Sequence, residues 1–277
     1  MLISTEQLTQ QIQESGSVIV DCRFSLADAN AGQNAYLQGH IPGAVYADLD
    51  KDLSSPITAN SGRHPLPDIK RFSETLGAWG VHNDSHVVAY DDMGGAVASR
   101  LWWLLKWLGH EKVSLLDGGW NRWQQEQRPV SNEPGSNSPQ TYLAKAEAST
   151  WVTTAQVEED MAAQRICLVD ARATPRFLGK EEPLDAVAGH VPGAVNRPMQ
   201  LNLGGDGGFL PAEDLREQFA ALVGDTAVDA VVHMCGSGVT ACHNLFAMEL
   251  AGLRGSRLYV GSWSEWIRDS RRDIVRE

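Results

Sequence analysis

Short apolar runs alternate with longer stretches of mixed polar and apolar positions along the chain. The runs are bounded by Gly and Asp residues and are short for helices. Because they are apolar at consecutive positions, they are typical of strands in a parallel sheet that helices cover on both faces. The pattern predicts an α/β fold, with strands at residues 87–90 and 230–234.

The order of the motifs repeats once. The apolar run that ends at Asp21 returns with Asp170, and an arginine follows each aspartate two positions later. A Gly-His-x-Pro-Gly-Ala-Val turn occurs once in each half, at His40 and at His190. The same motifs in the same order over so long a period indicate duplication of a whole domain rather than a solenoid.

A polar segment separates the two repeats. Ser, Asn, Pro and Gly are frequent between residues 131 and 150, and apolar periodicity is missing until Tyr142. Such a composition is typical of a linker. A chain of 277 residues is long enough for two α/β domains. We therefore predict a domain over residues 1–130, a linker over 131–150 and a second domain over 151–277.

Cys235 combines a reactive side chain with a distinctive local pattern. It follows the apolar run 230–234, and a small-residue loop then leads into a helix predicted over residues 239–250. The N–H groups at a helix N-terminus lack partners and favour an anion, and a thiolate is such an anion. We therefore expect Cys235 to be a reactive nucleophile, although an isolated cysteine is usually a core residue.

The composition limits the classes of partner. Asp and Glu outnumber Lys and Arg by 35 to 23, and the net charge of −12 makes nucleic acid and anionic membranes poor partners. The four cysteines form no Cys-x-x-Cys pair and no Cys/His pattern typical of zinc. The sequence shows no apolar run of membrane-spanning length and no signal-peptide pattern at its start. We therefore predict a cytoplasmic protein with reduced thiols and without a metal or organic cofactor.

The loop after the predicted strand has the sequence Cys235-Gly236-Ser237-Gly238-Val239-Thr240-Ala241. This sequence resembles the active-site loop of the 3-mercaptopyruvate sulfurtransferases, a branch of the two-domain rhodanese family. The resemblance implies two tandem rhodanese-like domains, each a parallel sheet flanked by helices on both faces. It also implies that Cys235 takes a sulfane sulfur from a donor, becomes a persulfide and passes the sulfur on. The first repeat has Asp91 at the matching position and is expected to be inactive, because a carboxylate cannot carry sulfane sulfur.

The resemblance also implies residues that bind an anionic sulfur donor. The family segment Asp-x-Arg-x-x-x-Arg-Phe/Tyr corresponds to residues 170–177, so Arg176 is the expected ligand, and the planar fork of an arginine suits an anion. The mercaptopyruvate branch carries a further arginine in a Pro-Glu-Pro-Arg segment, whereas this chain has Leu184 at or near that place, which favours thiosulfate. Arg197 is a candidate substitute. The loop residues expected to complete the donor site are Gly236, Gly238, Val239 and Thr240.

Proton transfer from a thiol donor is assigned by the same resemblance to a Ser–His–Asp relay. Ser237 lies in the loop, and the matching residues of the first repeat are His64 and Asp50. A neutral histidine accepts a proton near pH 7, and a carboxylate orients it. The alternative for His64 is an exposed loop histidine without a catalytic part.

Sulfur transfer from 3-mercaptopyruvate to a thiol, cyanide or a thioredoxin-like acceptor is the predicted function. Two alternatives stay open: a thiosulfate:cyanide sulfurtransferase, and a persulfide carrier for a partner protein. A cysteine phosphatase or arsenate reductase would need an arginine six residues after Cys235, where this chain has Ala241. Cys242 is predicted to be packed, and a resolving role under oxidation is the minor alternative for it.

Overall fold

The structure, a computed structural model, describes residues 1–14 and 16–277. Contacts between residues divide the chain into two compact units, each of which includes a short segment from the other half of the sequence. The first unit comprises Met1–Ser55, Leu66–Glu147 and Gly205–Phe209, and the second comprises Pro56–Pro65, Ala148–Gly204 and Leu210–Glu277.

The first unit is built on a parallel five-stranded sheet. Its strands are β1 (Leu2–Ile3), β2 (Ser17–Asp21), β3 (Val45–Tyr46), β4 (His86–Tyr90) and β5 (Val113–Leu116). They are arranged in the order β1-β5-β4-β2-β3. Its helices are α1 (Thr5–Gln13), α2 (Ala31–Gln38), α3 (Ile69–Ala78), α4 (Ala98–Trp107) and α5 (Gly119–Gln125).

The second unit repeats this arrangement. Its strands are β6 (Trp151–Val152), β7 (Cys167–Asp170), β8 (Val195–Asn196), β9 (Val231–Met234) and β10 (Arg257–Tyr259). Its helices are α6 (Thr154–Ala162), α7 (Thr174–Phe177), α8 (Ala212–Val223), α9 (Ala241–Leu250) and α10 (Ser262–Trp266). The parallel strand order β6-β10-β9-β7-β8 matches that of the first unit position by position, which confirms the α/β fold and its duplication.

Local sequence explains why the first helix of each unit begins where it does. The Ser4 hydroxyl accepts the backbone N–H of Gln7 at 3.1 Å, and the Gln7 side chain accepts the N–H of Ser4 at 2.9 Å. Thr153 and Gln156 make the same reciprocal pair at the start of α6. Each pair satisfies backbone donors that the helix itself leaves unpaired.

The motifs shared by both repeats are tied into the fold. His40 and His190 each donate through Nδ1 to a backbone carbonyl oxygen at 2.7 Å. Arg23 and Arg172 each pair at 2.6 Å with the buried aspartate two residues earlier. These contacts are the same in the unit that contains Cys235 and in the unit that has Asp91 at the matching position. A structural role is therefore sufficient to explain both motifs.

The segment predicted as a linker is attached to the first unit over most of its length. The N–H groups of Ser131 and Gln140 donate to carbonyl oxygens of that unit, both at 2.9 Å, and the side chain of Tyr142 is buried. The structure places the change of unit between Glu147 and Ala148. Backbone hydrogen bonds to distant turns, which composition does not reveal, hold this polar segment in place.

Candidate active site

Cys235 lies where β9 ends, and the loop before α9 curls around its sulfur. The Sγ atom accepts the backbone N–H of Gly238 at 3.2 Å and that of Ser237 at 3.5 Å. Only 2% of the residue is exposed. Backbone N–H groups directed at a sulfur favour its thiolate form. The loop therefore surrounds the sulfur of Cys235 and leaves it almost closed off from solvent.

The turn that begins α10 fixes this loop from behind. The N–H of Cys235 donates to Ser262 Oγ at 3.1 Å, and its carbonyl oxygen accepts the N–H of Trp263 at 3.0 Å. The carbonyl oxygen of Gly236 accepts the N–H of Ser264 at 2.9 Å. Because both peptide groups around the cysteine are bonded to the first turn of α10, that turn and not the loop alone sets the direction of the Cys235 side chain.

The remaining loop residues supply backbone geometry. Gly238 has φ +77°, and a methyl group built on its Cα would lie 2.6 Å from the carbonyl oxygen of Val260. The carbonyl oxygens of Val239 and Thr240 accept N–H groups from the first turn of α9 at 3.0 and 3.2 Å. Only glycine fits position 238, and the two residues after it join the loop to the helix.

His64 reaches the loop from the segment Pro56–Pro65, which belongs to the second unit. Its Nδ1 atom lies 2.7 Å from Ser237 Oγ, and the two residues are only 3% and 6% exposed. His64 is therefore not an exposed loop residue. A hydroxyl bonded to an imidazole beside a nucleophile can pass a proton in either direction.

Asp50, the third member of the predicted relay, lies in the first unit. Its backbone N–H donates to Asp48 Oδ1 at 3.0 Å. Burial, and after it the negative charge of Asp48, raises the pKa of the Asp50 carboxyl. An interaction between Asp50 and His64 stays a prediction.

Arg176 extends from α7 to the glycine that follows the cysteine. A methyl group built on the Gly236 Cα would lie 3.6 and 3.7 Å from its two terminal nitrogens. The guanidinium is held by Glu182 Oε1 at 2.7 Å and by Asp185 Oδ2 at 3.0 Å. Burial raises the pKa of Glu182, but hydrogen bonds from Arg176 and from the backbone outweigh it and lower that pKa. The carboxylate stays ionised and keeps the arginine in position.

Arg197 makes different contacts. Its Nε donates to Asn202 Oδ1 at 3.0 Å, and its Nη2 donates to Gln218 Oε1 at 3.1 Å. The guanidinium stacks on the ring of Phe219 at 4.2 Å, and burial lowers the pKa of Arg197 to about 10. These contacts use the arginine in the packing of α8, and none of them supports the suggested part in donor binding.

The sequence did not identify two further residues at the site, Arg63 and Asp185. They form an ion pair, and Arg63 Nη2 would lie 3.1 Å from a methyl group built on Gly236. The adjacency of Arg63 to His64 was the only available signal, because the approach to residue 236 comes from the fold.

The first unit has the matching loop, with Asp91 in place of the cysteine. The carboxylate is fully buried and accepts four backbone N–H groups. Each oxygen takes two of them, and the donors are Met93, Gly95, Val97 and Ala98 at 2.8–2.9 Å. This carboxylate satisfies its loop internally, so that unit has no free nucleophile at the end of β4.

Among residues 1–14 and 16–277, no group of three or more His, Cys, Asp or Glu side chains is placed to hold a metal ion. No helix within these same residues has the length and apolar character needed to cross a membrane.

Comparison with known proteins adds an independent observation to this geometry. The model of the rhodanese-like domain matches the chain twice, over residues 4–126 and 153–269. The chain belongs to the rhodanese family. Each matched region contains four of the five strands of one parallel sheet, and β1 and β6 lie just before the matched residues; this confirms the tandem rhodanese-like architecture predicted from the loop and the repeats.

Similar rhodanese-family proteins span the full chain. A probable 3-mercaptopyruvate sulfurtransferase of Pseudomonas aeruginosa is 47% identical over 276 residues, covering 99% of this chain and 97% of its own. A thiosulfate sulfurtransferase of Bos taurus is 35% identical, covering 96% and 91%. The solved structure of 3-mercaptopyruvate sulfurtransferase from Leishmania major has a TM-score of 0.84 at 31% identity, covering 96% of this chain and 74% of its own.

Proposed function

We propose that this rhodanese-family chain is a 3-mercaptopyruvate sulfurtransferase that carries the sulfur as a persulfide on Cys235. The arrangement around Cys235 Sγ carries the proposal: two backbone N–H groups on the sulfur, and a Ser237–His64 pair beside it. The full-length relative from Pseudomonas aeruginosa, named for this activity, supports the same donor.

In the first half-reaction the Cys235 thiolate attacks the sulfur of 3-mercaptopyruvate. A sulfur–sulfur bond forms, the carbon–sulfur bond breaks, and its electron pair leaves with the carbon as the enolate of pyruvate. The proton that the donor thiol brings ends on that carbon, so pyruvate is released without an external oxidant or reductant. The N–H groups of Ser237 and Gly238 hold the negative charge at the sulfur.

In the second half-reaction a nucleophile removes the outer sulfur. Cyanide attacks it, the sulfur–sulfur bond breaks, and thiocyanate leaves while the Cys235 thiolate returns. A thiol, including one on a thioredoxin-like protein, takes the sulfur in the same way and leaves as a persulfide. All four cysteines are free thiols in the structure, and a cytoplasmic setting that keeps thiols reduced suits this chemistry.

We assign the movement of the proton to Ser237 and His64. Their 2.7 Å contact forms a path between the sulfur loop and an imidazole, a group that can accept a proton and return it. Arg176 binds the carboxylate of the donor from its place over Gly236. Asp50 would orient His64 through the relay predicted from the sequence.

The test is paired steady-state kinetics with 3-mercaptopyruvate and with thiosulfate, using cyanide as acceptor. We expect a kcat/KM that is at least about tenfold higher for 3-mercaptopyruvate, and loss of transfer from both donors in Cys235→Ser. Cys242→Ser is the matched control, because its thiol donates to the Gly238 carbonyl oxygen at 3.4 Å and is not the nucleophile. Sulfur transfer by Cys235→Ser would overturn the proposal.

One observation favours thiosulfate as the alternative donor. Leu184 lies at or near the place at which the mercaptopyruvate branch has an arginine. A higher kcat/KM for thiosulfate would show that this position decides the donor. Transfer that requires a protein partner, with neither small donor turned over, would instead indicate a persulfide carrier.

A further inference from the structure

Two guanidinium groups, not one, lie over the glycine that follows the nucleophile. A methyl group on the Gly236 Cα would lie 3.1 Å from Arg63 Nη2 and 3.6 Å from Arg176 Nη2. Both arginines belong to the second unit, although Arg63 comes from the first half of the sequence. Because Gly236 has no side chain, two positive groups come close to the backbone of the residue next to Cys235.

Arg63 is fixed in this position before any ligand arrives. Its backbone N–H donates to Ser264 Oγ at 3.0 Å, and its Nη1 pairs with Asp185. The preceding residue, Gly62, donates its N–H to Glu265 Oε2 at 3.2 Å. These anchors lie at the start of α10, whose turn also holds the Cys235 backbone, so the arginine and the sulfur share one support.

Asp185 sets the spacing of the two arginines. One oxygen of its carboxylate pairs with Arg63, and the other accepts Arg176 Nη2 at 3.0 Å. Its side chain is only 4% exposed, so the charge between the two guanidinium groups is poorly screened by water. The Nε of Arg63 is buried and lacks a hydrogen-bond partner among the described residues. A buried donor of this kind is costly unless a ligand or water satisfies it.

Leu184 shows why this second arginine matters. Its side chain is 47% exposed, and it lines a cavity of about 470 Å³ together with Arg63 and Asp185. A long cationic side chain at position 184 would therefore extend into the same cavity that Arg63 borders. Leu184 brings no positive charge to this cavity, whereas Arg63 places a guanidinium at its edge.

We infer that Arg63 is a second donor-binding residue, which with Arg176 binds the anionic end of the sulfur donor over Gly236. The inference rests on the proposed function for the identity of the donor, a small 2-oxo acid with a terminal thiol. Two arginines held at fixed spacing bind a carboxylate through several charge-assisted hydrogen bonds, which also orients the donor sulfur towards Cys235.

The first experiment measures donor kinetics of Arg63→Gln and Arg63→Lys in the full chain. We expect Arg63→Gln to raise the KM for 3-mercaptopyruvate about 10- to 100-fold, the range for loss of a hydrogen bond between charged groups. The KM for cyanide should stay unchanged, and Arg63→Lys should show a smaller rise because it keeps the charge but loses the fork. Arg165→Gln is the matched control, since this exposed arginine of the second unit pairs only with Asp160 and Glu159 in the described contacts.

A rescue variant separates binding from structure. Adding Leu184→Arg to Arg63→Gln returns a guanidinium to the same cavity, and we expect it to recover at least part of the lost donor affinity. A fall in kcat without a change in the donor KM, and without rescue, would overturn the inference and make Arg63 a support of the loop only.

Equilibrium binding separates this inference from the proposed function. Thiosulfate and 3-mercaptopyruvate are titrated by calorimetry onto Cys235→Ser, with and without Arg63→Gln. Weaker binding of either anion on loss of Arg63 supports the inference even if the wild-type chain fails to turn over 3-mercaptopyruvate. Equal binding to both proteins overturns it even if the wild-type chain is an active sulfurtransferase.

Discussion

Cys235 and Asp91 occupy matching places in the two repeats, but their hydrogen-bonding surroundings differ. The Asp91 carboxylate takes four backbone N–H groups and closes its own loop. Cys235 Sγ takes two, and its loop adds the Ser237 hydroxyl with His64 behind it. The proposed transfer therefore belongs to the second repeat, where the sulfur and the Ser237–His64 pair occur together.

The proposed proton transfer through Ser237 and His64 leads to a prediction for a single substitution. We expect His64→Gln to lower kcat with 3-mercaptopyruvate about 10²- to 10⁴-fold, the usual range for loss of a general acid–base group, because the departing carbon needs a proton. With thiosulfate the departing group is sulfite, which needs none, so kcat should change by less than about tenfold. Steady-state assays with both donors measure this, with the exposed His82→Gln as control. Equal losses with both donors would contradict a proton role and point to a role in holding the loop.

At the scale of elements, the nucleophile depends on two strands and not on one. The cysteine loop follows β9, but the groups that bond its backbone follow β10, the neighbouring strand in the sheet. Gly238, in the loop after β9, packs against Val260, the residue after β10. A methyl group on the Gly238 Cα would lie 2.6 Å from the Val260 carbonyl oxygen. The cysteine loop is therefore attached to the connection that follows β10 as well as to its own strand.

The close approach at Gly238 can be measured as stability. Gly238→Ala requires a left-handed backbone at an L residue, which costs about 1–2 kcal/mol, and it adds a contact with a backbone oxygen that cannot move freely. Gly207→Ala is the matched control, since Gly207 has φ +79° and no atom within 4 Å of the added methyl group. We expect urea unfolding to show the larger loss for Gly238→Ala. Equal losses of unfolding free energy in the two variants would mean that the loop accommodates the methyl group at position 238 without additional strain.

The sequence predicted the elements better than the contacts between them. Apolar runs and capping residues are local signals, so strands such as β9 and helices such as α6 could be identified before the fold was known. Arg63 had no such signal, because its place over Gly236 results from long-range packing. Arg197 was a plausible donor ligand by sequence position. Its burial against Phe219 depends on α8, which sequence position does not reveal.

At the scale of the whole molecule, burial of histidines couples folding to pH. Burial lowers the pKa of His86, His110 and His233, and for His233 the pKa falls to about 3 from an ordinary value of 6.5. Arg197 adds a smaller contribution of the same sign to His233. These side chains are neutral in the folded chain and take up protons on unfolding. Their contribution is complete above pH 6.5 and is lost as the pH falls towards the folded-state pKa.

His233 allows this dependence to be tested. Between pH 6.5 and 5 its protonation in the unfolded chain alone should lower the free energy of unfolding by about 2 kcal/mol. Urea unfolding at pH 7 and at pH 5 should therefore differ less for His233→Gln than for the wild-type chain, whatever the variant costs at pH 7. His82→Gln, at an exposed histidine, serves as control. An unchanged difference in His233→Gln would contradict the prediction.

The segment Pro56–Pro65 belongs to the second unit although it precedes that unit's strands in the sequence. During synthesis His64 leaves the ribosome 171 residues before Cys235, as 235 − 64 gives. At about 5–20 residues per second, this interval is roughly 10–30 s. The growing polypeptide therefore contains His64 well before it contains Cys235. The contact between His64 and Ser237 can form only when translation is almost finished. A fragment translated from Ala148 onwards would contain Cys235 but not His64. The second unit therefore cannot be obtained whole by dividing the gene at its midpoint.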